Sequence, residues 1–190
     1  DSIPAYALLW KLSAGFVQPD FRFYLPGFVI FTILMQGVSA AVVLRWLGVT
    51  GIVALFAGTI LFAVWPIFAF RFMMQHLALT SHWLVILGIG LLLTAPLAGP
   101  AGRRNLAAWC ALVVVSLLIH GYFFAFTAAL FAGRLAIDRY APANDPALSN
   151  GQAIARAAIF LGLSAAVMIV CGHVGGPRVV SEGFGYYSMN

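Results

Sequence analysis

The chain has 190 residues, of which 63% are apolar and only 8% are charged, and its mean hydropathy is +1.02. A soluble domain carries about 25% charged residues, and several fully apolar helices of about 20 residues do not fit inside one small soluble core. The composition therefore excludes a soluble globular domain and predicts an all-α, polytopic membrane protein. The net charge of +5 does not indicate nucleic-acid binding, because the ten Lys and Arg residues lie singly or in one pair and form no basic patch.

The first 27 residues are predicted to form an outer loop. Residues 5–12 could form about two turns of helix in the membrane interface, because Tyr6, Trp10 and Lys11 suit headgroup depth. Proline and charged residues between positions 19 and 26 indicate a loop after this helix. The chain starts at Asp1 without an initiator methionine, so we interpret residues 1–190 as a single transmembrane domain excised from a longer protein.

About six apolar segments follow, and they are predicted to build a transmembrane helical bundle between residues 28 and 171. The first contains Gln36 and Ser39 as interior polar groups, and the second contains the helix breaker Pro66 near its end. Residues 172–190 are Gly-rich and are predicted to form another outer loop. The predicted segments are 28–46, 51–70, 77–95, 106–119, 122–137 and 153–171.

Residues 106–137 are better explained by two short helices than by one. A single helix of this length would be about 48 Å long, against a hydrocarbon core of about 30 Å. The sequence Ile119-His120-Gly121-Tyr122 interrupts the apolar stretch. We therefore predict an antiparallel hairpin of two helices, each shorter than a usual span, with its turn at His120 within or just below the membrane surface and buried in protein.

Basic residues are distributed unequally between the two sides of this topology. Six arginines fall on one side, and Lys11, Arg22, Arg71 and Arg178 fall on the other. Because an excess of basic residues marks the cytoplasmic side, the side with six arginines is predicted to be cytoplasmic. A single long helix would move the loop after Arg134 to the other side and reverse this bias, which favours the hairpin.

The same topology gathers ionisable residues on the outer side. All four histidines fall there although they play no part in choosing the topology, and Asp1, Asp20 and Glu182 fall with them. Asp138 and Asp145, the acids on the inner side, are interpreted as ordinary loop residues. The clustering predicts an outward-facing site. The four histidines are His76, His82, His120 and His173.

One arginine and two histidines lie between the second and third apolar segments, and such groups at a membrane boundary are costly unless they have a partner or a task. Arg71 either extends to the headgroups or pairs with a phosphate, for which a planar guanidinium is well shaped. On one helix, His76 and His82 would point about 120° apart, so they share a site only if His76 precedes the helix. His82 is either an interfacial anchor beside Trp83 or a polar group facing a cavity in the bundle.

The remaining candidates lie in predicted turns and loops. His120 either caps the backbone at the hairpin turn or belongs to the site. Asp1 is either a loop acid or a catalytic carboxylate, and Glu182 and Tyr186 lie in the Gly-rich outer loop. The chain has no HExxH, paired CxxC, glycine-rich nucleotide motif or Gly-x-Ser-x-Gly, which excludes the usual zinc sites and soluble-nucleotide cradles. A membrane site with arginine, histidine and carboxylate groups instead suits a lipid phosphate.

Five stretches of the sequence, in order along the chain, resemble a known family. They are 1–4 with Lys11, 34–37, 76–84, 119–122 and 183–190, and the most specific is His76-Leu-Ala-Leu-Thr-Ser-His82-Trp83-Leu84. Together they resemble the DUF6311 family of bacterial membrane proteins, which are generally placed with the GT-C type glycosyltransferases. One departure is Gly121, where the family pattern leads us to expect proline.

The resemblance implies a GT-C-like helical fold with its site facing outward from a bacterial cytoplasmic (inner) membrane. Such enzymes move a sugar from a polyprenyl-phosphate donor to an acceptor outside the cytoplasm, and a carboxylate of the first outer loop is the usual base. Asp1 belongs to the end of that loop. We therefore predict Asp1, His82 and His120 as catalytic residues. The substrate-binding residues are predicted to be Arg71, His76, Tyr122, Glu182 and Tyr186.

The expected chemistry needs a base and a group that stabilises a leaving phosphate. The acceptor hydroxyl loses a proton as it attacks the anomeric carbon, so a nearby carboxylate serves as general base, and the transition state is oxocarbenium-like. Arg71 with one of the histidines could stabilise the charge on the departing lipid phosphate. A divalent cation could do the same, but the isolated carboxylates of the chain assign no metal site.

Two other classes of function stay open. A transporter or flippase of lipid-linked glycans would need polar groups on both sides of the membrane midplane, to serve two access states. The ionisable residues gather on one side here, which favours the enzyme. A non-catalytic membrane subunit would lose its fold but no activity when the catalytic candidates are substituted. The predicted partners of the enzyme are membrane lipid and a lipid-linked sugar donor.

Overall fold

The computed structural model describes residues 6, 11–12, 24–74, 76–141 and 147–171. Within these ranges the chain folds into α-helices and one short 3-10 helix, with no strand, so the all-α prediction is confirmed. The elements are α1 Tyr24–Trp46, α2 Ile52–Ala63, α3 Pro66–Met73, the 3-10 helix Leu77–Thr80, α4 Trp83–Thr94, α5 Gly102–Ile119, α6 Gly121–Arg139 and α7 Asn150–Val170.

The lengths and composition of the helices are those of a multi-pass membrane protein. Five helical stretches are long and apolar enough to cross a membrane, and they differ widely in burial. In the stretch that contains α4, 50% of the most apolar part is buried. In the stretch formed by α2 and α3, only 6% of the most apolar part is buried. Outward-facing apolar side chains are stable against lipid, so α4 is the central helix and α2 lies at the periphery. The five stretches are Tyr24–Trp46, Ile52–Arg71, Leu77–Thr94, Gly102–Ile119 and Asn150–Val170.

The predicted hairpin is formed by α5 and α6, which run antiparallel on either side of His120. Ser116 and Thr127 share a buried hydrogen bond of 2.9 Å between their hydroxyl oxygens, and the rings of Trp109 and Phe131 lie 5.6 Å apart, edge to face. The helices are longer than predicted, because α5 begins at Gly102 and α6 ends at Arg139. With 18 residues, α5 is about 27 Å long. The expectation that both arms are shorter than a usual span was therefore wrong.

The second membrane segment is broken at its proline. Val64 and Trp65 separate α2 from α3, which begins at Pro66. Because proline has no backbone N–H, the carbonyl of Phe62, four residues earlier, lacks its helical partner. The side-chain amide of Gln36 in α1 donates to that carbonyl at 3.1 Å. Gln36 is 0% exposed, so the prediction of an interior polar group is confirmed, and its amide compensates the break in α2.

Tyr6, in the predicted first outer loop, contacts α1. The ring of Tyr6 lies 4.9 Å from that of Tyr24 and 5.2 Å from that of Phe28, measured between centroids. Tyr6 and Lys11 are both helical, and Lys11 is exposed. The described part of the predicted interfacial helix is thus helical and packs on the start of α1, whereas Trp10 lies outside the described residues.

Asp138 joins three parts of the chain at the end of α6. Its carboxylate accepts hydrogen bonds from Arg134 in the same helix and from the backbone N–H of Leu97 at 2.6 Å. Its own carbonyl accepts from the N–H of Leu148 at 2.9 Å, and Arg134 also donates to the carbonyl of Leu92 at 2.9 Å. Asp138 is 3% exposed. Its interpretation as an ordinary loop residue was wrong, because the segment after α4 packs against this end of α6 and buries the ion pair.

Gly90 lets α4 approach α1 closely, which leads to a stability prediction. A Cβ atom at Gly90 would lie 2.6 Å from Cγ2 of Val43 and 3.0 Å from Cε3 of Trp46. We expect Gly90→Ala to lower the free energy of unfolding by about 1–3 kcal/mol, because the two helices must separate. The measurement is the thermal unfolding midpoint of the full-length protein in detergent. Gly162→Ala in α7 is the matched control: its Cβ would meet nothing within 4 Å, so it should be neutral or stabilising. Equal midpoints for the two variants would contradict the close packing.

Candidate functional site

The two ends of the bundle differ in charge. We call the end that holds the start of α4, the end of α5 and the start of α6 the histidine end, because His82 and His120 lie there. We call the opposite end the arginine end. Among the described residues, Arg71 lies at the histidine end. Those at the arginine end are Arg45, Arg103, Arg104, Arg134, Arg139 and Arg156.

A cavity of about 460 Å³ opens at the histidine end, and we call it the histidine cavity. It lies between α3, the 3-10 helix, α4 and the first turns of α6. Four of the predicted site residues line it together: Arg71, His76 and His82 come from one stretch of the sequence and Tyr122 from another. The lining residues are Trp65, Ile67, Arg71, His76, Leu79, His82, Val85, Tyr122, Phe123 and Phe126.

Interruptions of the helices place Arg71, His76 and His82 at this cavity. Arg71 is in the last turn of α3, and its carbonyl accepts the N–H of His76 at 3.0 Å. His76 lies just before the 3-10 helix, and His82 lies just before α4. The N–H of His82 donates to the carbonyl of Thr80 at 2.7 Å. The condition for a shared site is therefore met, because His76 is outside α4 and the 3-10 turn brings it back toward His82.

The imidazole of His82 packs between aromatic rings. Its ring centroid lies 5.9 Å from Trp65 and 6.3 Å from Phe123, with the Phe123 ring at 87° to it. The Nδ1 atoms of both His76 and His82 are buried and have no hydrogen-bond partner among the described residues. A buried polar atom without a partner is costly. In both imidazoles, therefore, Nδ1 makes no hydrogen bond to the described part of the protein, which is expected of side chains that bind a ligand.

His120 positions Tyr122 at the start of α6. The Nδ1 atom of His120 accepts a hydrogen bond from the backbone N–H of Tyr122 at 3.2 Å, and the two rings stack with centroids 5.6 Å apart. Because Nδ1 accepts, the proton of the neutral ring is on Nε2. The capping interpretation of His120 is confirmed. Its catalytic role stays a prediction, and the stacking connects it to a residue that lines the histidine cavity.

The other predicted site residues cannot be placed in this geometry. Asp1, Glu182 and Tyr186 lie outside the described residues, and so does His173. Asp138 is the acidic residue in the described ranges, and it lies at the arginine end. The carboxylate that the predicted chemistry needs must therefore come from outside these ranges. Within them, no group of three or more His, Cys, Asp or Glu side chains is arranged to hold a metal ion.

The apolar wall of the histidine cavity was not predicted. Trp65, Phe123 and Phe126 supply most of its aromatic surface. A sequence signal existed for two of them, because Trp65 directly precedes the helix breaker Pro66 and Phe123 follows the hairpin turn. Irregular backbone at membrane depth is tolerated where it is buried in protein or lines a cavity, so residues beside both breaks were candidates for the wall.

One known protein family matches the whole chain. The sequence profile of DUF6311, described as a domain of unknown function, matches residues 1–190. The chain belongs to the DUF6311 family. No curated protein and no solved structure matches it. The family resemblance is thereby confirmed over the whole chain, and the histidine cavity is a feature of this DUF6311 protein on which a proposal of function can be built.

The orientation of the DUF6311 bundle can be tested at Gly121, at the tip of the histidine end. Gly121 is exposed and a Cβ atom there would meet nothing within 4 Å, so Gly121→Cys should leave the fold intact. After Cys110 and Cys171 are replaced by serine, a membrane-impermeant maleimide added to intact cells should label this cysteine. Tyr140→Cys, at a residue 81% exposed at the arginine end, is the control and should react only after the membrane is opened. The reverse pattern would overturn the predicted orientation.

Proposed function

We propose that this DUF6311 protein is a membrane glycosyltransferase that moves a sugar from a polyprenyl-phosphate donor to an acceptor at the outer face of a cytoplasmic membrane. The observation that carries the proposal is the histidine cavity, in which Arg71, His76, His82 and Tyr122 share one largely apolar space at the membrane boundary. A cationic group and uncommitted imidazoles beside an apolar wall complement a phosphate joined to an isoprenoid chain. The GT-C-like fold that the family resemblance implies would support the same reaction.

The walls of the histidine cavity suit the apolar part of such a donor. Ile67 is 44% exposed and Phe126 is 53% exposed on the surface of a bundle that faces lipid. Trp65, beside them, is 36% exposed. A lipid substrate can therefore approach from the bilayer between α3 and α6 without crossing a polar surface. The phosphate would then lie toward Arg71, whose guanidinium is shaped for two hydrogen bonds to phosphate oxygens.

The reaction forms one bond and breaks another at the anomeric carbon. The acceptor oxygen bonds to that carbon, the bond from the carbon to the phosphate oxygen breaks, and the lipid phosphate leaves with the electron pair. Arg71 and a hydrogen-bond donor from His76 or His82 would stabilise the charge that develops on the leaving oxygen. The proton of the acceptor passes to a carboxylate acting as general base. Asp1 keeps that role as a prediction.

The buried ion pair at the arginine end gives no support to a transporter, the rival function. A second access state would need a polar group there that is free to meet substrate. Asp138 is instead bound to Arg134 and to the N–H of Leu97, and the other donor of Arg134 is bound to the carbonyl of Leu92. This buried pair serves the protein's own backbone, so it does not supply a second substrate site.

The test uses the full-length protein purified into lipid and supplied with polyprenyl-phosphate sugars. We expect release of the lipid phosphate and transfer of the sugar to depend on the protein and to be lost in His82→Ala, while the thermal unfolding midpoint of that variant stays near that of the wild type. Movement of a labelled lipid-linked sugar across the bilayer without sugar transfer would replace the enzyme by the transporter. Neither transfer nor movement with any carrier would favour a non-catalytic membrane subunit.

A further inference from the structure

A second cavity, at the arginine end, is lined by groups that match an anionic lipid headgroup. Its volume is about 490 Å³, and it lies between the last turns of α1 and α4 and the first turns of α5. Trp46, Thr94, Arg104 and Asn105 are its polar or amphipathic lining residues. The cavity is separate from the histidine cavity, because none of its lining residues is shared with that site. We call it the arginine cavity.

Charge at the arginine cavity favours an anionic ligand. Arg104 is exposed and belongs to the cavity lining. Among the described residues, the acidic side chain that could neutralise it is that of Asp138, and this carboxylate is already bonded to Arg134 and to the N–H of Leu97. Arginine guanidinium is the usual protein partner of phosphate oxygens. The arginine cavity therefore has a cation with no described counter-ion.

The other lining groups indicate that the anion belongs to a lipid. Trp46 is 46% exposed at the end of a membrane-spanning helix, and tryptophan is enriched at the headgroup level of membranes. Leu91 and Ala108 add an apolar surface on which acyl chains can lie. Basic pockets between membrane helices are a known setting for anionic headgroups. A soluble anion would use the guanidinium but would leave the tryptophan and the apolar surface without a partner.

Asn105 favours a headgroup that carries a hydrogen-bond donor, and among anionic lipids a glycerol headgroup supplies one as a hydroxyl. Its side-chain nitrogen donates to the carbonyl of Pro96 at 2.7 Å. This bond fixes the amide and leaves the carbonyl oxygen Oδ1 as an acceptor beside Arg104. The hydroxyls of a glycerol headgroup are donors that reach such an acceptor when the phosphate lies on the guanidinium. A choline headgroup has no O–H or N–H to donate.

We propose that the arginine cavity binds an anionic glycerophospholipid of the phosphatidylglycerol type, with its phosphate on Arg104 and its glycerol hydroxyls toward Asn105. The proposal does not depend on the glycosyltransferase function, because the two cavities share no residue. This lipid belongs to the membrane leaflet at the arginine end and is bound there without being a substrate.

The test uses the full-length protein in nanodiscs of phosphatidylcholine that contain increasing amounts of phosphatidylglycerol. After transfer to detergent, native mass spectrometry counts the lipids that stay bound. We expect the wild type to retain phosphatidylglycerol in preference to phosphatidylcholine, and Arg104→Gln to retain it with about fivefold lower affinity. Arg104→Lys should keep most of the binding because it keeps the charge. Arg103→Gln is the matched control, since Arg103 is exposed and does not line the cavity.

Each contrary outcome identifies a different error. Equal losses in Arg103→Gln and Arg104→Gln would mean diffuse attraction to basic residues and would overturn the site. Equal retention of phosphatidylcholine by the wild type would overturn the headgroup assignment. Displacement of the lipid by millimolar glycerol phosphate would make the ligand a soluble anion. The unfolding midpoint of Arg104→Gln in pure phosphatidylcholine should equal that of the wild type, and a lower midpoint would make Arg104 a structural residue instead.

Discussion

Arg71→Gln is expected to lower kcat/KM for sugar transfer by about 10²–10³-fold. Arg71 is the cationic residue that lines the histidine cavity, so it is the side chain best able to stabilise negative charge on the leaving lipid phosphate. Glutamine keeps the approximate length of the side chain and some hydrogen bonding but removes the charge. The measurement is the rate of sugar transfer by the full-length protein, followed at donor concentrations well below KM, where the rate reports kcat/KM directly.

Two control variants separate the charge of Arg71 from its geometry and from general effects of basic residues. Arg71→Lys should recover part of the lost activity, because it restores the charge without the two-pronged contact to phosphate. Arg103→Gln, an exposed arginine at the other end of the bundle, should transfer sugar at the wild-type rate. If Arg71→Gln works within threefold of the wild type while folding normally, the phosphate cannot lie where the histidine cavity places it.

The order and direction of the helices could be predicted from the sequence because the bilayer imposes few solutions. Apolar segments of fixed length must be helical, since no water is present to satisfy their backbone groups. A stretch of 32 residues with His120 and Gly121 near its middle then has to fold back on itself. The structure confirms that turn at His120. The helix ends were harder to predict, because α5 begins at Gly102 and includes Arg103 and Arg104, which looked like loop residues by polarity alone.

The site could be predicted only in part, because it depends on how an interrupted helix folds. The segment from Leu77 was predicted as one continuous span, whereas the chain forms a 3-10 turn and starts α4 only at Trp83. That interruption turns His76 toward the same cavity as His82. Sequence spacing alone left this open, since six residues on a regular helix would separate the two side chains. The aromatic wall depends on Trp65 and Phe123 both packing against His82, and no local pattern encodes contacts between such distant parts of the chain.

The ion pair of Arg134 and Asp138 shows the opposite case, in which a local signal was present and was not used. The two residues are four apart in α6, the spacing at which opposite charges meet on one helix face. Arg134 was placed in the predicted segment 122–137, whereas Asp138 was assigned to the loop that follows it. Their burial arises from the last turn of α4 and the segment after it, because the carbonyl of Leu92 and the N–H of Leu97 bond to the pair. That long-range contact is outside the reach of spacing arguments.

The two ends of the bundle therefore use polar groups for different purposes. At the arginine end, Arg134, Asp138 and Arg156 bind carbonyl and N–H groups of the chain itself, and Arg156 donates to the carbonyl of Leu97. These bonds join α6 and α7 to the end of α4 and to the segment that follows it. At the histidine end, His76 and His82 have buried ring nitrogens with no partner among the described residues. A framework held by these bonds at one end, with a cavity lined by such imidazoles at the other, suits the proposed enzyme, whose substrate is a membrane lipid.

Asp138→Ala is expected to lower the free energy of unfolding by about 3–5 kcal/mol, the usual cost of removing one partner of a buried ion pair. The substitution leaves the guanidinium of Arg134 without its counter-ion at a site where that side chain is 11% exposed. It also leaves the N–H of Leu97 without an acceptor. The measurement is the thermal unfolding midpoint of the full-length protein in detergent, together with the fraction that survives purification.

Related substitutions at the same pair separate the lost charge from the lost hydrogen bond. Asp138→Asn keeps an oxygen that can accept the N–H of Leu97, so it should cost less than alanine and report mainly the missing charge. In a double-mutant cycle, Arg134→Ala should destabilise the Asp138→Ala protein by less than it destabilises the wild type. In the Asp138→Ala background it removes a guanidinium that has already lost its partner. Additive effects, or a loss under about 1 kcal/mol for Asp138→Ala, would contradict a buried pair. The pair is remote from the histidine cavity, so any Asp138→Ala protein that folds should keep its sugar-transfer rate. Such a result would show that the pair contributes to stability and not to substrate binding.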